Sequence, residues 1–280
     1  MLEIDQTEFR LWARYVYDIS GISLEPAKSY LIESRLGPLL KENACRTFSD
    51  LYRKSKMDST QTIEKRIIDQ ITTNETFFFR DNAPFDMLKY KILPDIVDWK
   101  TQKAFSSNPV AIRIWSAGCS TGQEVYSIAI ALKEILVDLN KYNVTVLGTD
   151  ISGMAIARAS QGMYTRFEMD RGLTPERMEQ YFIRKDEAWK IKDEIQAMAT
   201  FKKMNLMQPF TWMGKFDVIF CRNVGIYFTI EDRKKLFRHI KDVLAADGRL
   251  IIGSTESLTG IAPQFESKRY LRSVFYQLKK

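Results

Sequence analysis

The side chains able to do chemistry gather in a few short stretches of this 280-residue chain. A single histidine, His239, and three scattered cysteines, Cys45, Cys119 and Cys221, leave little room for the commoner mechanisms. No Cys-x-x-Cys pair offers a zinc site or a disulfide frame. A Ser-His-Asp or Cys-His relay would need His239, which lies in the helical pattern "KKLFRHIKDVL" and reads as a helix-surface residue. What remains is glycines, carboxylates, guanidiniums, amides and a phenol, set at the ends of apolar runs.

Three such ends stand out. In "IWSAGCSTGQE" an apolar run stops at Ala117, Gly118 and Gly122 follow, and Glu124 opens a helical pattern. Glycine lets a backbone approach a ligand where a Cβ would collide, although Gly-x-x-x-Gly falls short of the Gly-x-Gly-x-x-Gly dinucleotide fingerprint. In "VTVLGTD" Asp150 closes the run, where a carboxylate accepts ribose hydroxyls. In "DVIFCRNVGIYF" Arg222 and Asn223 follow the run directly and Tyr227 comes four residues after Asn223. Each has a plainer reading: a tight strand-helix turn, a helix cap at Asp150 (Ser152 is also placed to cap), and a cap at Arg222 and Asn223. Together they point to a nucleoside-bearing cofactor. No Gly-x-x-x-x-Gly-Lys-[Ser/Thr] loop and no second glycine cluster cradles phosphates, so an adenosyl ligand without phosphates, S-adenosyl-L-methionine, fits best. Its sulfonium and zwitterionic end call for carboxylates, amides and aromatic walls. A fourth stretch, "ITTNETFFFRD" (residues 71–81), packs three rings between polar groups and raises the question of what it touches.

The elements that must hold these groups divide in two. Up to about residue 70 the apolar spacing is helical: "DQTEFRLWARYVYDIS", "AKSYLIESRLGPLLKEN" (interrupted at Gly37-Pro38), "TFSDLYRKSK" and "STQTIEKRIIDQITT". Residues 101–111, polar with a proline, suit a boundary. Beyond them strand and helix patterns alternate, which predicts an α/β fold with a doubly wound, Rossmann-like sheet. "SVFYQLKK" reads as a last strand. Residues 181–206 break the alternation; "AWKIKDEI" suits a small antiparallel hairpin turning at Lys185-Asp186-Glu187, with a helix as the competing reading. We therefore expect a small all-α N-terminal domain with the start of a linker over residues 1–85. An α/β domain follows over 86–280, with the β insertion at about 178–204. Net charge is +7, with the whole excess beyond residue 80, and suits an acidic partner or a solvated basic surface. No run approaches the ~20 apolar residues of a membrane span. "MLEIDQTEFR" lacks the features of a secretory signal, so a cytoplasmic protein is expected.

"ITTNETFFFRD", "IWSAGCSTGQEVYSIAIAL", "GTDIS", "MNLM", "FDVIFCRNVGIYF" and "GRLIIGSTESL", in this order from about residue 5 to residue 278, resemble the chemotaxis receptor methyltransferases, the CheR family. The resemblance implies an S-adenosyl-L-methionine-dependent protein-glutamate O-methyltransferase. Its substrates would be glutamates on cytoplasmic helices of methyl-accepting chemotaxis receptors, and its product S-adenosyl-L-homocysteine. It implies cofactor contacts at Asn74, Thr76, Arg80, Glu124, Asp150, Asn205, Leu206, Asn223 and Val224, beside Ala117 and Gly118 of the glycine turn. It sets Arg80 and Tyr227 beside the methyl group as catalytic residues, Arg80 holding the incoming carboxylate and Tyr227 orienting it. Asn74, Thr76 and Arg80 would then fold over the cofactor, with Phe77, Phe78 and Phe79 anchoring the segment between the two units. No metal, no nucleic acid and no direct membrane contact are expected, and a monomer is the default.

The chain departs from that pattern. Most relatives have an acidic residue where Gln123 stands, a proline at Val125 and a bulkier apolar residue at Gly225, which puts the turn carrying Asn223 and Tyr227 in question. Some carry a glycine-containing hairpin that docks a receptor's C-terminal pentapeptide; no glycine occurs from residue 173 to residue 213 here, so pentapeptide independence is expected. Two rivals are a nucleic-acid methyltransferase, against which "RNVGIY" lacks the Asn/Asp-Pro-Pro-aromatic motif, and a cofactor-binding signalling module without catalysis.

Overall fold

The computed structural model describes residues 4–103, 109–136 and 138–279. Four helices come first: α1 (Gln6–Ser20), α2 (Ser29–Glu42), α3 (Phe48–Met57) and α4 (Thr62–Ile71). Asp5 caps α1 by accepting from the amides of Thr7 and Glu8, at 2.7 and 2.8 Å. Thr47 and Asp50 form a reciprocal capping box on α3. The apolar stripes of these helices bury Trp12, Val16, Ile32, Leu36, Leu39, Leu51 and Ile67 in one core. The expected interruption at Gly37-Pro38 does not occur, and α2 runs through Pro38. The proline forgoes one backbone hydrogen bond, but Leu36, Leu39 and Leu40 on either side are buried and hold the helix to its neighbours.

Two short helices, α5 (Ala83–Met87) and α6 (Leu93–Lys103), lead to the α/β unit. The boundary expected at residues 101–111 falls in part on residues 104–108, which lie outside the described residues; α6 ends at Lys103 and β1 begins at Val110. Strands β1 (Val110–Ala117) and β2 (Tyr142–Asp150) flank helix α7 (Gln123–Ile135), and α8 (Gly153–Gln161) follows β2. Next come β3 (Met163–Thr165), α9 (Arg166–Asp170), α10 (Pro175–Tyr181), β4 (Phe182–Lys185), β5 (Ala188–Ile191), α11 (Asp193–Gln196) and β6 (Ala199–Lys203). The chain closes with β7 (Phe216–Cys221), α12 (Ile230–Val243), β8 (Leu244–Ile252), β9 (Phe265–Tyr270) and β10 (Ser273–Leu278).

Seven strands form one sheet in the order β6-β2-β1-β7-β8-β10-β9. The first five are parallel, and β10 runs antiparallel to both β8 and β9. The sheet is therefore mixed: "SVFYQLKK" is a strand as expected, but it pairs in a terminal hairpin with β9, which the alternation did not reveal. Strand order reverses between β1 and β7, and a doubly wound sheet opens its ligand crevice at such a point. Ala117 pairs with Thr149 and Ser116 with Phe220, so Gly118, Asp150 and Arg222 leave the sheet at one level.

The insertion is antiparallel, as expected, and has three strands in the order β3-β5-β4. Its hairpin turns at Asp186, which takes φ 53°, a conformation that aspartate tolerates better than most residues. Ile191 is buried on β5, whereas Ile195 is buried from α11, a helix, and residues 199–203 leave the small sheet to pair with β2. Among the described residues no helix is long and apolar enough to cross a membrane.

Candidate functional site

The sheet's carboxyl edge and the helical unit face each other across a cavity of about 460 Å³. Several polar contacts fasten one side to the other. Tyr17 donates to Asp232 at 2.9 Å, Asn205 to the Ile19 carbonyl at 3.2 Å and the Ser23 amide to the Tyr227 carbonyl at 2.9 Å. Ser152, which caps α8, donates to Asp69 at 2.7 Å. The helical unit is thus a wall of the cavity.

Eleven of the twelve residues expected at the site line this one cavity: Asn74, Thr76, Arg80, Gly118, Glu124, Asp150, Asn205, Leu206, Asn223, Val224 and Tyr227. Ala117 does not; its side chain is buried in the core beneath the sheet edge, because alternate strand residues face opposite sides. The cavity wall begins one residue later, at Gly118. There the backbone has φ 77° and a Cβ would overlap a methyl group of Val224, so only glycine leaves this wall open.

Asp150 accepts from the amides of Ser120 and Ser152, both at 2.9 Å. Burial pushes its carboxyl above the ordinary aspartate range, and these two amides oppose the rise. Glu124 accepts from Ser116 at 2.7 Å and from Arg222 at 2.8 Å. Cys119 also lines the cavity, but burial, with the charges of Asp150 and Glu124, pushes its thiol up, which keeps it protonated and a poor nucleophile. His239 lies outside the lining; it is half-buried, edge-on to Phe210 at 5.5 Å, rather than on the helix surface.

The segment after α4 supplies the third side. Phe78 and Phe79 are buried with the α/β core, and Phe77 is only half-buried. Phe78 packs edge-on against Tyr164 and Phe182, with ring centres 4.9 and 5.4 Å away. Phe79 meets Phe85 at 5.1 Å and the Arg177 guanidinium at 3.8 Å. The anchor expected between the two units is therefore set wholly in the α/β unit. Phe77 stays at the surface, with the Arg80 and Arg171 guanidiniums 5.7 and 4.9 Å from its ring. Arg80 donates to the Glu75 carbonyl at 3.0 Å.

Several contributors escaped the sequence reading. The serine hydroxyl of Ser120 is buried with no partner among the described residues. Lys28, Leu31 and Arg35 reach the cavity from the helical unit, and no pattern in their own helix marks them. Glu256 accepts from the amides of Asn223 and Gly253, at 2.7 and 2.8 Å, and so holds Asn223 at φ 58°. Gly225 packs against that carboxylate, where a Cβ would stand 2.9 Å from its oxygen. The glycine thus lets Glu256 close on the turn instead of loosening it. Gln123, also a departure, is buried and donates at 3.5 Å to Glu168; an acid there would face a second carboxylate.

A cavity of this size is within the range for small ligands. Its unpartnered Ser120 hydroxyl, the Cβ-free wall at Gly118 and the Asp150 and Glu124 carboxylates suit the hydroxyl-rich, cationic and phosphate-free end of an adenosyl sulfonium. A switch-point site with this chemistry is that of an S-adenosyl-L-methionine-dependent methyltransferase.

Two family models match the chain: the CheR methyltransferase all-alpha domain over residues 7–72, and the CheR methyltransferase SAM binding domain over residues 74–272. The chemotaxis protein methyltransferase of Vibrio parahaemolyticus is 36% identical over 281 residues, covering 99% of each chain. That of Borreliella burgdorferi is 38% identical over 267 residues, 92% of this chain and 91% of the other. Chemotaxis protein methyltransferase 1 of Pseudomonas aeruginosa is 33% identical over 277 residues. The chain belongs to the CheR methyltransferase family, and S-adenosyl-L-methionine is its cofactor.

Proposed function

We propose that the protein esterifies glutamate side chains on the cytoplasmic helices of chemoreceptors, in the cytoplasm, without help from a receptor C-terminal pentapeptide. The observation that carries this reading is a cavity with a guanidinium and a phenol, Arg80 and Tyr227, but no histidine in its wall. Most methyl acceptors need a base; a glutamate, ionised at neutral pH with a reference pKa of about 4.3, does not. When bound, S-adenosyl-L-methionine supplies an electrophilic methyl group on a good leaving group. The chain's own task is then orientation. Arg80 binds the substrate carboxylate as a fork, and the Tyr227 hydroxyl donates to it and sets its angle. Asp150 and Glu124, with Asn74, Thr76, Asn205 and the 223–224 backbone, hold the cofactor side. The fixed turn at Asn223 and Gly225 supports a working enzyme over a silent module.

The Asp150 assignment predicts a pH dependence. Free Asp150 titrates above the ordinary aspartate range because burial favours its neutral form. The charged form thus costs the fold stability above that raised pKa, and the cost is relieved as pH falls through it. Cofactor binding runs the other way, since ribose hydroxyls donate to the carboxylate. Affinity measured by calorimetry is expected to fall as pH drops through the raised Asp150 pKa. In Asp150→Asn it should be weak and flat over that window; a wild-type profile that is equally flat removes Asp150 from the site.

The function is tested with labelled cofactor and receptor cytoplasmic fragments with and without the tail pentapeptide, using mass spectrometry to locate the product. Base-labile esters on glutamate, at equal rates on both fragments, are expected. Transfer to RNA, or base-stable methylation, overturns the substrate assignment. The two-residue β4–β5 turn, with Asp186 at φ 53° where a glycine would sit, supports pentapeptide independence. Micromolar binding of the tail peptide would reverse that part alone.

A further inference from the structure

We infer that Arg222 and Asp81 are positioning residues that aim Arg80, an inference that rests on the Arg80 reading above. Arg222 leaves the end of β7 with a side chain only 2% exposed. Its Nη1 donates to Glu124 on α7, at 2.8 Å. Its Nη2 donates to the Asp81 carboxylate and to the Arg80 carbonyl, each at 2.8 Å. One planar fork thus ties the strand end, the cofactor-side carboxylate and the backbone of the proposed substrate-binding arginine. Lysine could not do this, because an ammonium is a point charge without the fork.

The turn it grips is strained, although the Asn82 amide closes it on the Phe79 carbonyl at 2.9 Å. Phe79, Asp81 and Asn82 have φ 50°, 67° and 29°, three left-handed residues among four, none of them glycine. Such conformations persist only where the surroundings over-determine them. The Phe79 amide is fixed by Ser127 at 2.9 Å and its ring by Arg177; past Phe79 the Arg222 fork takes hold. The Arg80 side chain itself is tethered through Nη1 to the Glu75 carbonyl at 3.0 Å. Its direction therefore follows the backbone, and the backbone follows Arg222 and Asp81. Asp81 is absent from the cavity wall and acts through Arg80; Arg222, which lines the wall with both terminal nitrogens engaged with protein, acts through Arg80 and Glu124. Because the same guanidinium holds Glu124, it also sets the donor and acceptor sides in register.

The test is a double-mutant cycle on the full chain, read by single-turnover methylation of receptor fragments at saturating cofactor, with cofactor affinity measured beside it. Asp81→Asn keeps a residue that tolerates φ 67° while removing the charge. It is expected to slow transfer roughly tenfold, since small misplacements at a reacting centre cost up to about a hundredfold, with cofactor affinity within about twofold. In an Arg80→Ala background the same change should cost less than about twofold, since residues acting as a unit are not additive. Arg222→Lys should slow transfer at least as much as Asp81→Asn and also weaken cofactor binding through Glu124. Equal losses from Asp81→Asn in both backgrounds, or no loss in the wild type, overturn the inference while leaving Arg80 in place. An Arg80→Ala enzyme as fast as wild type would instead remove the Arg80 reading itself.

Discussion

Replacing Arg80 by alanine is expected to slow single-turnover methyl transfer by roughly 10²- to 10³-fold at saturating cofactor. Three arginines line the cavity, and the contacts of the other two say why the effect should centre on Arg80. Arg35 reaches the Ile71 carbonyl and Thr73, and Arg222 is spent on Glu124, Asp81 and a carbonyl. Among the described residues Arg80 makes its hydrogen bond to the Glu75 carbonyl and rests over Phe77. A carboxylate needs no proton removed, so nearly all the enzyme's contribution lies in holding it in line, and the fork of a guanidinium does that at two oxygens. Arg80→Lys should be intermediate, keeping the charge and losing the fork. Cofactor affinity should change far less than the rate. A rate equal to wild type would leave the carboxylate without a holder and end the proposed mechanism.

The second large effect concerns stability. Phe78→Ala is expected to cost about 3–5 kcal/mol, because the ring is fully buried and loses two edge-on aromatic partners, a contribution within that range. Against a total of roughly 5–15 kcal/mol this is a large share. Phe77→Ala, at a half-buried ring, should cost under about 1 kcal/mol. Urea unfolding of the two variants tests the contrast. Equal losses would mean that the three-ring segment is not anchored through Phe78, and the seat proposed for Arg80 would go with it.

The three rings show how far local reading reaches. Their run marks the segment as apolar and its flanks as polar, but not which ring turns inward. That depends on Tyr164 and Phe182 of the small sheet and on Gly172, whose missing Cβ leaves room for the Phe78 carbonyl. Ala117 is the reverse case. The glycine turn pointed to the right place, yet the pleat sends this side chain into the core. The β9–β10 hairpin escaped because antiparallel strands at the sheet's end lack the helix-strand rhythm that betrayed β1, β2, β7 and β8; β6 escaped too, inside the stretch that breaks that rhythm.

The sequence by itself determined the helical unit, four of the five parallel strands and the cofactor edge. It did so because these depend on local spacing: a 3.6-residue stripe, an apolar run, a glycine or carboxylate at the run's end. Tertiary structure alone decided what holds the site together. Arg222 meets the Arg80 carbonyl across 142 residues of chain, and Asn205 meets Ile19 across 186. Glu256 closes on Asn223 only because β7 and β8 lie side by side. Such pairings leave no periodic trace, since nothing in the spacing of one partner encodes the position of the other; they exist only once the sheet has brought distant strand ends to the same edge.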